Sequence, residues 1–366
     1  MSEASQPAPR SAPYRLIDLE GNWTGESGPD LGDDELRRLY ADMLAIQQLD
    51  ERFTILVRTG KSSIMTSAAG HEAAHVGIAR AIRKGVDWLF PYYRDHGLLF
   101  AYGVPPVELF GQMLATRVDP GKGRQTPTHV TCAGRRVFSM SSPVGSHLPV
   151  AVGAAMALAR REPGAVVICT FGDGATSTGD FHGALTLAGV QRAPIVFVCE
   201  NNRYALSVSL EDQNPGPTIA SKAAGYGMPS YWMDGLDALA VGEAVATAVD
   251  AVRRGGGPAL VELDLYRFGA HSSSDDDARY RTREEIERHR GRDAVIRYRR
   301  FLERRGLWTE AWETAVNEEI RSTLAAALHQ ATAAGAVPPQ WMFDDVYARE
   351  PWHLAEQRQS LEQDLD

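Results

Sequence analysis

Apolar and polar positions along the chain predict an α/β protein with a mainly parallel sheet and helices on both faces. Apolar residues at helical spacing follow an acidic cluster, which predicts a first helix from residue 33 to about residue 60. Three apolar runs at 165–170, 194–199 and 259–265 are too short for buried helices. We interpret these runs as buried parallel strands.

Helical patterns lie before and between the first two predicted strands. Residues 146–160 are mostly Ala, Val, Gly and Leu, which favours a helix packed closely against another backbone. Residues 181–190 also have a helical pattern and complete a strand, helix, strand unit. Because such a unit places the carboxyl ends of both strands on one edge of the sheet, we expect the ligand site there.

The remaining segments suggest how the chain is organised. Residues 1–30 lack periodicity and are predicted to form an extended amino-terminal arm. We expect residues 31–335 to form a single α/β domain, in which 266–281 is a loop rich in Ser, Asp and Arg and the segment after it is helical. Residues 336–366, which begin near two consecutive prolines, are predicted to be a carboxy-terminal tail.

Composition excludes several classes of function. The 366 residues include 38 Lys and Arg against 47 Asp and Glu, a net charge of −9 that argues against nucleic acid as a partner. Three cysteines without close spacing argue against a disulfide scaffold and favour a reducing compartment. No apolar run has the length needed to cross a membrane, and the first 15 residues lack a signal-peptide core. We therefore expect a cytoplasmic protein without membrane partners.

Two polar motifs follow the first two predicted strands directly. The run Gly172-Asp173-Gly174-Ala175 allows a tight turn and a close approach of phosphate to the backbone. Glu200-Asn201-Asn202 follows the next strand and supplies a neutral oxygen beside the Asp173 carboxylate. Oxygen ligands of this kind, completed by diphosphate oxygens, suit Mg²⁺. Each motif alone is typical of an ordinary turn, but the pair at one sheet edge favours a functional site.

A dinucleotide site is disfavoured because Ser177 replaces the third glycine of the Gly-x-Gly-x-x-Gly fingerprint of such sites.

These two motifs are similar to the signature of thiamine diphosphate enzymes. More closely, the chain resembles the alpha subunits of the decarboxylating component of 2-oxo acid dehydrogenase complexes, particularly the branched-chain type. The resemblance covers nearly the whole chain after the arm. The further matching runs are Arg58-Thr59-Gly60-Lys61, Gly70-His71-Glu72-Ala73, Tyr93-Arg94-Asp95-His96-Gly97, Gly123-Arg124-Gln125, Ser142-Pro143 and His271-Ser272-Ser273-Ser274-Asp275-Asp276.

The resemblance implies a thiamine diphosphate-binding fold, with thiamine diphosphate and magnesium as cofactors. Magnesium would be held by Asp173, Asn202 and the carbonyl of Tyr204, and His271 would be the catalytic residue. The residues implied to bind the cofactor are Tyr93, Arg94, Ser142, Pro143, Val144, Gly172, Asp173, Gly174, Ala175, Asn202, Tyr204 and His271. Those implied to face the substrate are Ile64, Tyr93, His129 and Ser142.

The resemblance also implies an activity and partners. A protein of this family oxidatively decarboxylates a branched-chain 2-oxo acid such as 3-methyl-2-oxobutanoate and transfers the acyl group to a lipoyl domain. It is active only with a beta subunit, in an α2β2 assembly bound to a lipoyl-bearing acyltransferase core. Pyruvate is the alternative substrate, although the aliphatic Ile64 and Met65 favour a branched acyl group. A subunit retained only for assembly is disfavoured by the intact Asp173, Asn202 and His271.

Two positions qualify the resemblance. Glu200 stands where some relatives carry a basic residue that can reach the diphosphate. Ser272 stands where mitochondrial relatives carry a regulatory phosphorylated serine, and a phosphate there would add negative charge beside an anionic cofactor.

One further motif supports a different class of function. His71-Glu72-Ala73-Ala74-His75 matches H-E-x-x-H, in which two histidines on one helical face bind zinc and the glutamate acts as a base. A zinc metallopeptidase is therefore a distant alternative. It is disfavoured because no convincing third ligand follows and because the resembled family needs only the first histidine.

Overall fold

The computed structural model describes residues 12–365 and contains a central sheet of five parallel strands in the order β1-β2-β3-β7-β6. Two further strands, β4 and β5, form a small antiparallel hairpin beside it. The strands are β1 (Trp88–Phe90), β2 (Val167–Gly172), β3 (Ile195–Asn201), β4 (Tyr204–Ala205), β5 (Val208–Ser209), β6 (Ser230–Asp234) and β7 (Ala259–Asp264). The α/β class and the mainly parallel sheet predicted from the sequence are confirmed.

Helices surround the sheet, and their bounds agree with the helical patterns described above. The first predicted helix spans Asp33–Arg58, and the charged helical segment after residue 282 divides into three helices. The helices are α1 (Asp33–Arg58), α2 (Glu72–Ala81), α3 (His96–Tyr102), α4 (Pro106–Leu114), α5 (His147–Arg161), α6 (Gly179–Gln191), α7 (Leu210–Gln213), α8 (Ala238–Ala251), α9 (Arg283–Arg290), α10 (Ala294–Arg304), α11 (Glu310–Ala333) and α12 (Trp352–Leu365).

Alternating apolar residues of the strands fill a core on each face of the sheet. Ile168 and Val198 point into a core built with α1, α2 and α8. Their neighbours Cys169 and Phe197 point into a second core, built with α5 and α6. Because both faces are covered, the central strands are largely apolar, as is typical of parallel sheets.

Two strands extend further into the polar motifs than their apolar runs predicted. In β2 the ladder continues to Gly172, which is in register with Glu200 of β3, and Asn201 is in register with Asp264 of β7. A central strand is paired on both sides, so its backbone hydrogen bonds continue beyond its last apolar residue. The polar side chains therefore leave the sheet from fixed positions.

The amino-terminal segment packs against the edge of the sheet. Tyr14 pairs with β6, donating to Trp232 and accepting from Asp234. Leu16 and Ile17 are buried, and their backbone N–H groups both donate to the Asp237 carboxylate at 2.7 Å. The prediction for residues 1–11 lies outside the described residues. At the other end, the segment predicted as a tail contains the helix α12.

None of the helices within residues 12–365 combines the length and the hydrophobicity required to cross a membrane.

Candidate functional site

A cavity of about 390 Å³ lies at the carboxyl ends of β2 and β3, the edge at which the sequence predicts a site. Parallel strands present their ligands at this edge because neighbouring loops converge there. Most of the residues implied to bind a cofactor line the cavity: Tyr93, Arg94, Pro143, Val144, Gly172, Asp173, Gly174, Ala175, Asn202, Tyr204 and His271.

Asp173 presents a buried carboxylate with one free oxygen. Its Oδ2 accepts a hydrogen bond from Gln213 Nε2 at 2.6 Å, whereas Oδ1 has no hydrogen-bond partner in the described part of the chain. Burial raises the pKa of Asp173 to about 6, although the Gln213 hydrogen bond and the positive charge of Arg267 oppose this effect. A buried carboxylate oxygen without a donor is costly, and a cation would relieve that cost.

Asn202 and Tyr204 reach the same cavity from a turn after β3. The turn places Arg203 between them in the left-handed region, at φ 73°, so the chain reverses sharply there. The backbone N–H of Tyr204 donates to Asn202 Oδ1 at 3.4 Å. Asn202 is buried, and its Nδ2 lies 3.4 Å from His71 Nε2. Asn202 and Tyr204 therefore line the same cavity as Asp173.

The turn after β2 brings its backbone close to a neighbouring segment. A Cβ at Gly174 would lie 2.8 Å from the Ala205 Cβ, a separation that real Cβ atoms do not show. Gly172 has more room, since the nearest atom to a Cβ there would be Cε2 of Tyr92 at 3.6 Å. The structure therefore requires glycine at 174 for close packing, which the sequence motif indicated only through its potential for phosphate approach.

Two buried guanidinium groups lie at the cavity: Arg94 lines it, and Arg267 contacts the lining residue His271. Arg94 donates to the carbonyls of Ser67 at 2.6 Å and His271 at 3.2 Å. Arg267 donates to the carbonyl of Leu206 at 2.9 Å, and burial together with Arg94 lowers its pKa. The Nε atoms of both arginines lack a partner among residues 12–365. This arrangement favours an anionic ligand.

His271 lies between these two arginines. Its Nδ1 is 3.2 Å from Arg267 Nη1 and 3.5 Å from Arg94 Nη2. Burial, Arg94 and Arg267 lower the pKa of His271 to about 4, so the ring is neutral near pH 7. Its ring also meets Tyr93 edge-on at 5.9 Å. A neutral imidazole in this position can accept or relay a proton.

The loop that carries His271 is held by its own charged residues, as its composition suggested. Asp275 accepts hydrogen bonds from the backbone N–H of His271 at 2.7 Å and from the Tyr280 hydroxyl at 2.5 Å. Arg281 is buried and donates to the carbonyls of Arg267 and Gly269. The position of His271 is therefore defined by side chains on both sides of it.

Three residues implied to face cofactor or substrate are not among the described residues that line the cavity. Ser142 Oγ is 2.5 Å from His129 Nε2, and the His129 ring stacks on Tyr93 at 6.4 Å. Ile64 precedes Met65, which exchanges hydrogen bonds with Ser273 in the His271 loop. Ser142 and His129 thus adjoin the cavity through Tyr93, and Ile64 adjoins it through that loop.

Sequence patterns did not indicate two residues that shape the site. Gln213 ends the short helix α7 and holds Asp173, but no motif surrounds it. Tyr92 lines the cavity and donates to Glu200 Oε2 at 3.1 Å. Glu200, which stands where some relatives carry a basic residue, is fully buried and is not among the described residues that line the cavity.

The H-E-x-x-H motif does not form a peptidase site. Glu72 lies away from the histidines, accepting from the backbone N–H of Gly70 at 3.0 Å and from Gln47 at 3.4 Å. His71 and His75 are both fully buried, so a peptide substrate has no access to them. A hydrolytic zinc site needs a base beside an open metal position, and this arrangement provides neither. The metallopeptidase alternative is therefore wrong.

The fold and the cavity define a parallel α/β protein with a buried carboxylate and buried guanidinium groups at one sheet edge. The chain matches the Dehydrogenase E1 component family over residues 40–340 and belongs to that family. Members of this family are thiamine diphosphate-dependent oxidoreductases. The family predicted from the sequence motifs is thus confirmed.

Curated relatives are similar over most of the chain. The 2-oxoisovalerate dehydrogenase subunit alpha of Bacillus subtilis is 38% identical over 320 residues, which cover 87% of this chain and 97% of that protein. The 3-methyl-2-oxobutanoate dehydrogenase subunit alpha of Mycobacterium tuberculosis is 39% identical over 358 residues, covering 96% and 94%. The human mitochondrial 2-oxoisovalerate dehydrogenase subunit alpha is 37% identical over 355 residues, covering 96% and 79%.

Proposed function

We propose that this chain is the alpha subunit of a thiamine diphosphate- and magnesium-dependent dehydrogenase that oxidatively decarboxylates branched-chain 2-oxo acids. The proposal rests on one observation: the same cavity is lined by Asp173, Asn202, Tyr204, Arg94 and His271. A carboxylate oxygen without a donor and two buried guanidinium groups match a cation and a diphosphate, respectively. The names of the relatives support the substrate class.

The residues of the cavity would bind different parts of the cofactor according to their charge. Asp173, Asn202 and the Tyr204 carbonyl would hold magnesium, and Arg94 with the backbone of residues 172–175 would hold the diphosphate. Pro143 and Val144, with Ser142 beside them, would contact the aminopyrimidine. Thiamine diphosphate, when bound, supplies the electron sink for loss of carbon dioxide. His271, neutral near pH 7, orients the oxo acid through its ring nitrogen and exchanges protons with it.

The cavity also supports a site shared with a beta subunit. Asp173 is the only carboxylate among the described residues that line the cavity, so none is left to activate the aminopyrimidine. Val144 and Leu206 line the same cavity yet are 50% and 48% exposed, and nearby Val208 is 45% exposed. Apolar side chains at the rim suit burial by another chain. We propose an α2β2 assembly in which the beta subunit supplies the glutamate, and which docks on a lipoyl-bearing acyltransferase core.

Branched-chain preference over pyruvate is the finer part of the proposal. The aliphatic Ile64 and Met65 lie on the segment that hydrogen-bonds to the His271 loop, and in the proposed site this segment faces the acyl group. Burial of two additional methyl groups favours the branched substrate by about 1–3 kcal/mol, or roughly tenfold or more in kcat/KM. Comparison of kcat/KM for 3-methyl-2-oxobutanoate and pyruvate tests this, and a higher value for pyruvate would reverse the assignment.

The decisive experiment uses the chain purified with its beta subunit. We expect decarboxylation of 3-methyl-2-oxobutanoate that requires both thiamine diphosphate and magnesium, and reduction of a lipoyl-domain acceptor. Asp173→Ala should abolish the activity, whereas Asp180→Ala, an acidic residue at the start of α6 away from the cavity, should retain it. Full activity of Asp173→Ala would contradict the assignment of Asp173 as a magnesium ligand. Activity of the alpha chain without its beta subunit would contradict the proposal that the two chains share the site.

Three broader proposals follow the same assignment. Residues 31–335 would be a single domain, supported by cores that cover both faces of one sheet. A cytoplasmic location is supported by the three buried, free cysteines. Ser272, whose hydroxyl lies 3.1 Å from that of Ser274, would be the position at which added phosphate opposes cofactor binding.

A further inference from the structure

A cluster of four buried side chains lies behind the cavity wall. We define the buried cluster as His71, His75, Asp95 and Glu200, all of which are fully buried. His71 and His75 belong to the start of α2, Asp95 precedes α3, and Glu200 lies near the end of β3. The proposed reaction uses none of the four. The cluster therefore needs an explanation of its own.

Three side chains of the buried cluster are spaced closely enough to bind one metal ion. His75 Nε2 lies 3.4 Å from Asp95 Oδ1 and 3.5 Å from Glu200 Oε2. Ligand bonds of about 2.0–2.2 Å to zinc give a tetrahedron with edges of about 3.3–3.6 Å. One atom from each of His75, Asp95 and Glu200 lies within 4.8 Å of the others. His71 Nε2 lies 3.9 Å from Glu200 Oε2 but outside this group of three, so it becomes the fourth ligand only if its ring turns from Asn202 towards the other three.

Several polar atoms of the buried cluster lack hydrogen-bond partners. Within residues 12–365 this is true of both ring nitrogens of His75, of Asp95 Oδ1 and of Glu200 Oε1. The other oxygen of Asp95 is fixed by the Tyr92 backbone N–H at 3.0 Å and by the Thr170 hydroxyl. Asp95 Oδ1 is thus held 3.4 Å from His75 Nε2. Buried polar atoms rarely remain unpaired, and coordination of a metal ion would satisfy these two atoms.

We propose that the buried cluster binds one zinc ion as a closed structural site. Two carboxylates balance the charge of the ion, and two imidazoles complete a ligand set that zinc accepts. Four protein ligands leave no open position, and Glu72 points elsewhere, so the site would not catalyse hydrolysis. The ion would join α2, the segment carrying Tyr93 and Arg94, and the strand that precedes Asn202. It would thereby stabilise the wall of the cofactor cavity from behind.

The competing explanation is an ion pair without metal, in which a protonated His75 faces Glu200 and Asp95. The test uses the full-length chain, expressed with zinc in the medium and dialysed against a weak chelator. We expect about one zinc per chain by elemental analysis, without added thiamine diphosphate or magnesium. His75→Gln should lose at least about nine-tenths of the zinc because it removes one of the four ligands. Glu72→Gln, in the same motif but outside the cluster, should retain it.

Two further measurements keep the outcome decisive. If His75→Gln does not fold, Co²⁺ added to the chelated wild-type chain should give the intense visible absorption of a tetrahedral site, and Zn²⁺ should abolish it. Asp173→Asn should bind zinc normally, so loss of the magnesium site and loss of the zinc site are separable. A wild-type chain that contains no zinc and gives no tetrahedral Co²⁺ spectrum would establish the ion pair and overturn the proposal.

Discussion

Gln213 and Asp173 are joined by a hydrogen bond of 2.6 Å that occupies one carboxylate oxygen and leaves the other without a protein partner in the described chain. Gln213 thus orients the proposed magnesium ligand without binding the ion itself. Hydrogen-bond partners of a ligand typically change metal affinity about 10- to 100-fold when removed. The pair therefore allows the roles of ligand and orienting residue to be separated by mutation.

We expect Asp173→Asn to weaken magnesium-dependent binding of thiamine diphosphate on the order of 100-fold or more, because the anionic ligand is lost. Gln213→Ala should weaken it about tenfold, because the carboxylate remains but is no longer held in place. Isothermal titration calorimetry at several magnesium concentrations measures both effects. Equal losses for the two variants would contradict the division of roles.

Gly174→Ala tests the close packing of the turn after β2. The new methyl group would lie 2.8 Å from the Ala205 Cβ, so the turn must move away from the β4 hairpin. We expect a loss of about 1–3 kcal/mol in the free energy of unfolding, as for other overpacked sites, together with weaker diphosphate binding. Urea denaturation and calorimetry measure the two effects.

The matched control for this substitution is Gly183→Ala. Gly183 lies inside α6, and a Cβ there would meet no atom within 4 Å among the described residues. Alanine should therefore raise the free energy of unfolding by about 0.5–1 kcal/mol, because it lowers the entropy of the unfolded chain. Similar stability of the two variants would show that the turn tolerates a side chain at 174.

How far the sequence predicts the fold depends on the length of each element. The buried runs that became β2, β3 and β7 were recognisable because six or seven mostly apolar residues stand together in each. The edge strand β1 spans only Trp88–Phe90, which is too short to show periodicity. The edge strand β6 contains the half-exposed Tyr231 and Trp232, so its pattern is not that of a buried strand.

The cofactor site was predictable to the extent that its residues follow strand ends. Asp173 and Asn202 could be placed together because they leave adjacent parallel strands. The contact of Gln213 with Asp173 depends on how the chain folds back after the β4 hairpin, and no local pattern records that path. The same applies to the buried cluster, whose Asp95 and Glu200 are 105 positions apart in sequence. The H-E-x-x-H spacing in the sequence indicated only the two histidines of the buried cluster.

The pKa of His271 provides a pH-dependent test of the two buried arginines beside it. Burial, Arg94 and Arg267 lower it, and Asp275 opposes them, giving a pKa of about 4 in the folded chain against about 6.5 when unfolded. Between these values the unfolded chain binds a proton that the folded chain does not. The stability that His271 contributes is therefore complete above pH 6.5 and is lost as the pH falls towards 4.

We expect His271→Asn to reduce this acid-dependent loss of stability by about 1–2 kcal/mol, a value that allows for the partial exposure of the ring. Chemical denaturation at pH 7 and pH 4.5 measures the difference. In nuclear magnetic resonance titrations, the His271 signal should shift to a higher pKa when thiamine diphosphate binds, because the diphosphate offsets both arginines. A His271 pKa near 6.5 in the cofactor-free chain would contradict this arrangement.

Arg281 tests how the His271 loop is held. Its guanidinium group is buried and donates to three backbone carbonyls of residues 267–269 as well as to Asp277. Lysine retains the charge but cannot form the same fork of hydrogen bonds. Arg281→Lys should therefore accelerate amide hydrogen exchange across residues 266–281 at least about tenfold, since loss of one such bond is worth about 1.5–3 kcal/mol.

Arg279→Lys is the matched control for Arg281→Lys. Arg279 is exposed on the same loop, so its substitution should leave the exchange rates of residues 266–281 unchanged. Mass spectrometry of the exchanged peptides reports both variants under the same conditions. Similar protection of the loop in Arg281→Lys and the wild-type chain would show that the carbonyl contacts of Arg281 do not order it.

Asp237 joins the amino-terminal segment to the sheet and to α10. Its carboxylate accepts from the backbone N–H groups of Leu16 and Ile17, caps α8 through Leu239, and faces the buried Arg297 at 3.5 Å. Asp237→Ala leaves these donors unpaired and should lower the free energy of unfolding by about 3–5 kcal/mol.

Asp250→Ala, an exposed residue later in α8, should change it by no more than about 0.5 kcal/mol. Urea denaturation compares the variants, and hydrogen exchange at Leu16 and Ile17 should rise only in Asp237→Ala. If those two amides stay protected in Asp237→Ala, the segment is held by its pairing with β6 and the carboxylate is dispensable.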